Sequence, residues 1–298
     1  MKRFIKLFLV LSVALHITHY TLHEVYASGT TGALFLEIEP SARAISIGGD
    51  VTGISNDVDA LFFNPGGLGL ISYSQLALSH GFWLEDINYE YFAYVKPLFH
   101  YGTIGASFSY LHTRMERRHS DVEETYGTFK TYFSLFTLGY GRKAGLGFSW
   151  GINLKFINMH IDSHKADGFA LDWGGIYKLQ VSGYRFPLGF AIQNIGPKVK
   201  FINEGDPLPL RFKVGTHCKL LKEQLLLNLG LNYLSELEFY LGCEYNYKQF
   251  KARLSFNSSS LSDLGFVSGF SSGFGLVWGE YMFDYAFKPF GLLGNIHW

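Results

Sequence analysis

The chain is short of charge, cysteine and proline: of 298 residues, 17% are charged, 2 are cysteine and 8 are proline. So little charge excludes a coiled coil or a disordered chain, both of which depend on abundant charged residues. Two cysteines exclude a disulfide-stapled fold and a cysteine-rich zinc site. Neither sign of charge is in excess, with 25 Lys plus Arg against 25 Asp plus Glu, which excludes a nucleic-acid binder working by counterion release. After residue 27 no apolar run reaches the roughly 18 to 20 residues of a membrane helix. What is plentiful is glycine, at 34 residues, and aromatic side chains, at 17%. That make-up suits a large all-β protein, soluble or membrane-embedded.

The first residues read as an export signal. Lys2, Arg3 and Lys6 form a basic region, Leu7 to Leu15 an apolar run, and Val25-Tyr26-Ala27 then Ser28 a small-residue cleavage site. A cleavable signal peptide is expected over residues 1–27. No cysteine follows the apolar run, so no lipoprotein anchor is indicated. Removing three basic groups and one acid leaves 22 positive and 24 negative side chains, a net of −2. With no membrane helix available, a mature chain living in a membrane has to be a closed barrel, because lipid offers no water to unpaired backbone groups.

Period-two alternation is the strongest pattern. Leu146, Phe148, Trp150, Ile152, Leu154 and Phe156 share one parity, against Gly147, Ser149, Gly151, Asn153 and Lys155 on the other. The same split recurs over residues 225–233, 237–247 and 281–288, and it is the period of a strand. One face is continuously Leu, Phe, Trp and Tyr; the other is mostly Gly, Ser and Asn with an occasional charge. That pairing suits lipid outside and a crowded or watery lumen inside. Links at Phe99 to Tyr101, Arg142 to Ala144, Val181 to Tyr184, Leu221 to Gln224 and Gly279-Glu280 read as tight turns. Thr113 to Phe129, Met159 to Asp167, Gly196 to Pro209 and Ser258 to Phe270 read as long loops. Such asymmetry marks outer-membrane barrels. The expectation is an antiparallel transmembrane barrel over residues 73–298 with about fourteen strands, or twelve if the short last segments do not count, in the bacterial outer membrane. Trp298 ends an alternating strand, as an outer-membrane assembly signal does.

Residues 28–72 do not alternate. Asn56 or Asp57 offers a cap for a short helix that Asn64-Pro65 would end, so the segment reads as a partly helical hatch in the lumen. Its motif residues are Arg43, Gly48 and Gly49 in Ala42-Arg43-Ala44 to Gly49, Asp57 in Asp57-Val58-Asp59-Ala60, and Asn64-Pro65-Gly66-Gly67-Leu68.

These stretches resemble the hatch of the FadL and PorV-like outer-membrane proteins, including uncharacterised spirochaete members. Ala170 to Tyr177, Ala191 to Gly196 through Arg211, and Asp284 to His297 are similar to the PorV side of that group. The resemblance implies a fourteen-stranded barrel with a hatch and no cofactor. On the FadL branch it implies passive uptake of long-chain fatty acids or other hydrophobic molecules through an opening in the wall. On the PorV branch it implies an accessory or shuttle protein for a protein-secretion system. A purely structural or adhesive barrel is a third class. Uptake needs no catalysis: a ligand would collect at aromatic loop residues such as Phe82 and Trp83 and bury itself at ~0.8 kcal/mol per CH₂. A carboxylate head would want a lumen cation, and Lys155, Lys213, Lys219 and Arg253 lie on the polar parity.

Other patterns carry less. Gly269-Phe270-Ser271-Ser272-Gly273 matches a nucleophile elbow but opens a glycine-rich strand, where that motif needs a turn into a helix. His160 and His164 with Asp162 and Asp167 place metal-ligand types in one polar segment, for which solvation is the plainer reading. His112 to Glu124 reads as a charged extracellular loop. Cys218 and Cys243 fall on the lipid parity, two strands apart, beyond disulfide reach. No catalytic or metal-binding residue is assigned, and the lipid bilayer is the one partner the pattern itself requires.

Overall fold

The computed structural model describes residues 31–84, 86–119, 122–181, 184–259 and 265–298. The signal peptide expected over residues 1–27 lies outside the described residues. Among the described residues sixteen strands follow one another: β1 (Gln75–Phe82), β2 (Asn88–Pro97), β3 (Thr103–His119), β4 (Val122–Gly145), β5 (Phe148–Ile161), β6 (His164–Val181), β7 (Tyr184–Ile195), β8 (Val199–Lys200), β9 (Gly205–Asp206), β10 (Arg211–Leu220), β11 (Leu225–Tyr233), β12 (Leu237–Tyr247), β13 (Phe250–Asn257), β14 (Phe270–Trp278), β15 (Tyr281–Pro289) and β16 (Asn295–His297). Fourteen of them close an antiparallel barrel in chain order, while β8 and β9 form a separate two-stranded ribbon between β7 and β10. Closure pairs every strand and leaves lipid no open edge along most of the wall.

The parity read from the sequence is the parity of the wall. Along β5, Ser149, Gly151, Asn153 and Lys155 are buried inward, and Ile152 and Phe156 are exposed outward. On β11, Leu229 and Leu231 face out while Asn228 and Asn232 are buried inside. The outward apolar band gives way toward one rim to His80, Glu90, Asn158 and Asp167, where Asn158 Nδ2 donates to Asp167 Oδ1 at 2.6 Å. Bands of this kind mark the exit from hydrocarbon into the headgroup region.

Two of the expected long loops are not loops. β3 runs on to His119 and β4 starts at Val122, so residues 113–119 and 122–129 are paired strand that stands above its neighbours as a hairpin. β5 and β6 turn at Asp162-Ser163, which makes Met159 to Asp167 strand as well. Beyond the hydrocarbon a strand needs no apolar face, so the mixed charges there hid the continuing ladder. The links over residues 196–210 and 258–269 are long, and those at Phe99–Tyr101, Leu221–Gln224 and Gly279-Glu280 are tight.

Residues 31–74 precede β1 and fold inside the barrel. They hold a 3₁₀ turn at Leu34–Glu37, a helix at Ala42–Ser46, a second helix at Ala60–Phe63 and a 3₁₀ turn at Pro65–Leu70. Ser41 caps the first helix, its Oγ accepting from Ala44 N–H at 3.3 Å, and Gly48 and Gly49 leave it with φ of 114° and 87°. The second helix starts after Asp59 and not at Asn56 or Asp57. It ends at Asn64, whose side chain accepts from Gly66 N–H at 3.0 Å and seats Pro65 at the start of the next turn.

Candidate functional site in the barrel lumen

The lumen is built in three layers, and β5 passes through all of them. Nearest the tight-turn rim, Ser149 and Asn153 hold the N-terminal segment: Ser149 Oγ donates to the Gly66 carbonyl at 2.6 Å and Asn153 Nδ2 to the Leu61 carbonyl at 2.9 Å. Next comes Lys155, then Ile157 and Met159, all buried.

In the first layer the N-terminal segment runs around the inside of the wall against glycines. A Cβ at Gly151 would strike the Pro65 carbonyl, and one at Gly174 the Asn64 side chain. Gly189, Gly215, Gly242 and Gly273 face Thr52, Gly53, Ile47 and Ser46 in the same manner. The small inward residues are therefore dents that admit backbone, and this is why glycine is so common on the polar parity. Asn64 is fully buried and donates to the carbonyls of Thr52 and Gly175 at 2.9 and 3.2 Å, while Asn228 donates to Asp50 O at 2.6 Å and Ser271 to Ile45 O at 2.6 Å. Asp50 and Glu39 lie in this segment, and burial pushes both carboxyls above the usual range.

The second layer is ionic. Lys155 Nζ lies 2.8 Å from Asp172 Oδ2 and donates to Asn194 Oδ1 at 2.8 Å. Arg211 joins Glu37 at 2.7 Å and Glu238 at 3.1 Å. Arg253 joins Glu244 at 2.7 Å and Asp284 at 2.6 Å, and Arg43 joins Asp57 at 2.5 Å and reaches Glu244 at 3.7 Å. Lys213 is different: its Nζ stands over the rings of Phe62 and Phe63, at 6.0 and 5.5 Å, and no carboxylate lies within 4.0 Å of it among the described residues. These charges neutralise one another in pairs, which leaves Lys213, and Lys288 over the Phe290 ring at 5.1 Å, as cations with no carboxylate within 4.0 Å among the described residues.

The third layer is apolar. Tyr89, Leu111, Leu135, Ile157, Met159, Ala166 and Ala170 line it from the wall, and Phe35 and Leu36 fill it from the N-terminal segment. Phe35 and Phe133 rings lie 5.4 Å apart. At its edge Trp83 meets Phe290 and Trp298, with ring centroids 5.7 and 6.4 Å away, and Trp298 meets Tyr89 at 5.1 Å. An open aqueous pore would carry polar side chains at this depth.

Of the residues singled out in the sequence, the structure brings Arg43, Asp57, Asn64, Pro65, Gly66, Lys155, Lys213 and Arg253 into the lumen. Gly48 and Gly49 lie there too, against β12 and Glu39. Phe82 does not belong with them: it ends β1 facing lipid, 60% exposed, because its parity is that of Leu76 and Leu78. Lys219 sits at the tight-turn rim, exposed and 3.4 Å from Glu223. Trp83 is half-buried at the lumen edge. Sequence reading missed Ser41, Asp59, Glu37, Asp172 and Asn194. Asp172 was open to discovery, since it pairs directly across from Asn153 on the inward parity; Asn194 sits in β7 at a bulge that breaks the alternation, and Ser41, Asp59 and Glu37 belong to irregular segments without a period. Ser271 lies within β14 and donates to Ile45 O, so it forms no nucleophile elbow. Among the described residues no group of three His, Cys, Asp or Glu converges as a metal site, and Cys218 and Cys243 are free thiols.

No protein-family model matches the chain, and no curated protein matches its sequence. Solved structures do match. The Pseudomonas putida toluene transporter TodX aligns with a TM-score of 0.57 at 9% identity, over 87% of this chain and 95% of that one. The Ralstonia pickettii toluene transporter TbuX aligns with a TM-score of 0.50 at 12% identity, over the same shares. The closed fourteen-stranded barrel is therefore the fold of solved toluene transporters, and the likeness to the FadL group noted in the sequence holds at the level of that fold.

Proposed function

We propose that the protein admits hydrophobic molecules passively across the outer membrane. The observation that carries this reading is the apolar layer in the lumen, where burial of a ligand would return ~0.8 kcal/mol per CH₂. Toluene transport by TodX and TbuX is consistent with it. Long-chain fatty acids are the ligand class this reading favours, because the lumen holds both an apolar layer and buried cations, Lys213 among them.

The test is uptake of a labelled fatty acid and of toluene by intact cells of a host stripped of its own hydrophobic-compound transporters. The barrel should speed both, and Lys213→Met should slow the fatty acid more than toluene. Equal uptake with and without the barrel would overturn the reading. A secretion-accessory role has one observation in its favour, the β3–β4 hairpin that stands above the barrel as a surface for a partner. Co-purification of exported proteins in stoichiometric amounts, without retained lipid, would establish that role instead.

A further inference from the structure

The outer face of β2 to β6 carries a single row of phenylalanines. Phe92, Phe108, Phe136, Phe156 and Phe169 are register partners from each strand to the next, and all are exposed. Toward the rim of the β3–β4 hairpin, the row gives way on β3, β4 and β5 to Tyr110, Ser134 and Asn158, and then to His112, Tyr132 and His160. Rings climb this face in contact. Tyr110 and His112 have centroids 5.0 Å apart, Tyr110 and Tyr132 5.8 Å, and Tyr132 and His160 4.8 Å. Tyrosine at such a boundary is the mark of the membrane interface.

One step farther out, Arg114 on β3 stands directly opposite Lys130 on β4, and both are exposed. Lys165 on β6 is opposite His160. Among the described residues none of these three cations has a carboxylate within 4.0 Å, because the acids around them are engaged elsewhere. Glu90 reaches His80 at 2.9 Å and His112 at 3.8 Å, Asp162 holds Arg117, and Asp167 accepts from Asn158. Glu116, next beyond Arg114, lies opposite Thr128 and is engaged as well. Like charges directly opposite on one face of a sheet repel, with Cβ atoms about 5 Å apart. An anion seated between them turns the repulsion into attraction.

Depth decides which anion. Two residues along a strand tilted ~40° rise about 5 Å, so Arg114 and Lys130 stand about 10 Å above Tyr110 and Ser134. The headgroup layer is roughly 5 to 7 Å deep, and long cationic side chains lie back along a surface with their heads in the polar layer. The pair therefore overhangs the phosphates of the leaflet whose acyl chains cover the phenylalanine row. We propose that Arg114 and Lys130, with the aromatic ladder beneath them, bind the anionic phosphate of an outer-leaflet lipid whose acyl chains lie on Phe108, Phe136 and Phe156. Arg114 offers a fork of donors to the phosphate oxygens and Lys130 a point charge, while Lys165 closes the β6 side. The site is on the outside of the wall and is independent of what the lumen admits.

The test titrates the purified protein in detergent with phosphatidate, read by native mass spectrometry, beside diacylglycerol with the same chains. Phosphatidate should bind saturably and diacylglycerol only weakly. Arg114→Ala with Lys130→Ala should weaken phosphatidate about tenfold, the lower end for a charge-assisted hydrogen bond. Lys143→Ala with Lys178→Ala removes two exposed cations near the tight-turn rim and should leave binding unchanged. The exchange Arg114→Lys with Lys130→Arg should retain binding, which separates loss of charge from loss of fold. Equal affinity in the wild type and the Arg114, Lys130 double alanine variant would overturn the site, as would diacylglycerol binding as tightly as phosphatidate. Displacement of phosphatidate by inorganic phosphate at equal concentration would overturn the lipid and make a soluble anion the occupant.

Discussion

Asp59 shows how a single side chain answers to its surroundings. It is buried, faces Asp57, Asp284 and the Tyr91 hydroxyl, receives one hydrogen bond from Ser41, and leaves Arg43 mostly to Asp57. Burial first, and Asp57 second, push its carboxyl up to about 7. The folded chain thus holds a proton there that the unfolded chain has given up, from the ordinary carboxylate range up to about pH 7. The hatch contact is undisturbed in acid, weakens as pH rises through that window, and bears the full cost above it, up to about 4 kcal/mol. Asp59→Asn keeps the Ser41 bond and removes the charge. Hydrogen exchange over residues 41–46 should quicken with rising pH in the wild type, after correction for the intrinsic rate, and stay level in the variant; parallel profiles would refute the assignment. Gly151→Ala tests the other residue-scale claim. It should lower the thermal midpoint, costing about 1–3 kcal/mol through overpacking. Gly127→Ala, which meets only Arg117 at 3.9 Å, should stay within about 0.5 kcal/mol. The sequence showed that glycine and asparagine shared the inward parity; which of them touched backbone required the path of an aperiodic segment, and no local pattern encodes that.

At the scale of the element, strands were readable wherever one face met hydrocarbon. β11, β12 and β15 lie where alternation placed them, because lipid on one side and a packed lumen on the other enforce the period; β5 keeps the expected parity but starts at Phe148, since the turn falls at Leu146-Gly147 and not at Arg142 to Ala144, which belongs to β4. The reading failed above the bilayer, where water wets both faces of the β3–β4 hairpin and the constraint on side-chain type lapses. Arg117 and Asp162 tie that hairpin to the β5–β6 turn, a contact between two segments that had both seemed loops. Trp150→Arg and Leu229→Arg each put a charge on the lipid side and should cost about 2–4 kcal/mol at the bilayer midplane, less near a rim. Titrating refolding into lipid vesicles with urea gives the value; a cost that does not change with depth would contradict the lipid-facing assignment. Asn228→Arg would also fail to fold well, for a different reason, since Asn228 is 2% exposed and bonded to the hatch.

For the whole molecule, three layers divide the work. Glycine dents fix most of the hatch, the ionic layer joins wall to hatch, and the apolar layer packs the protein's own Phe35 and Leu36 against the wall. The charge arithmetic of the sequence anticipated the balance but not the matching, since Arg211 meets Glu37 and Arg253 meets Asp284 across long stretches of chain. The dents carry one more consequence, for how the molecule comes into being. A wall with hollows shaped to another part of the same chain has poor partners until that part is in place, so the segment and the wall form one core, and removing residues 31–74 should cost the barrel stability as well as contents.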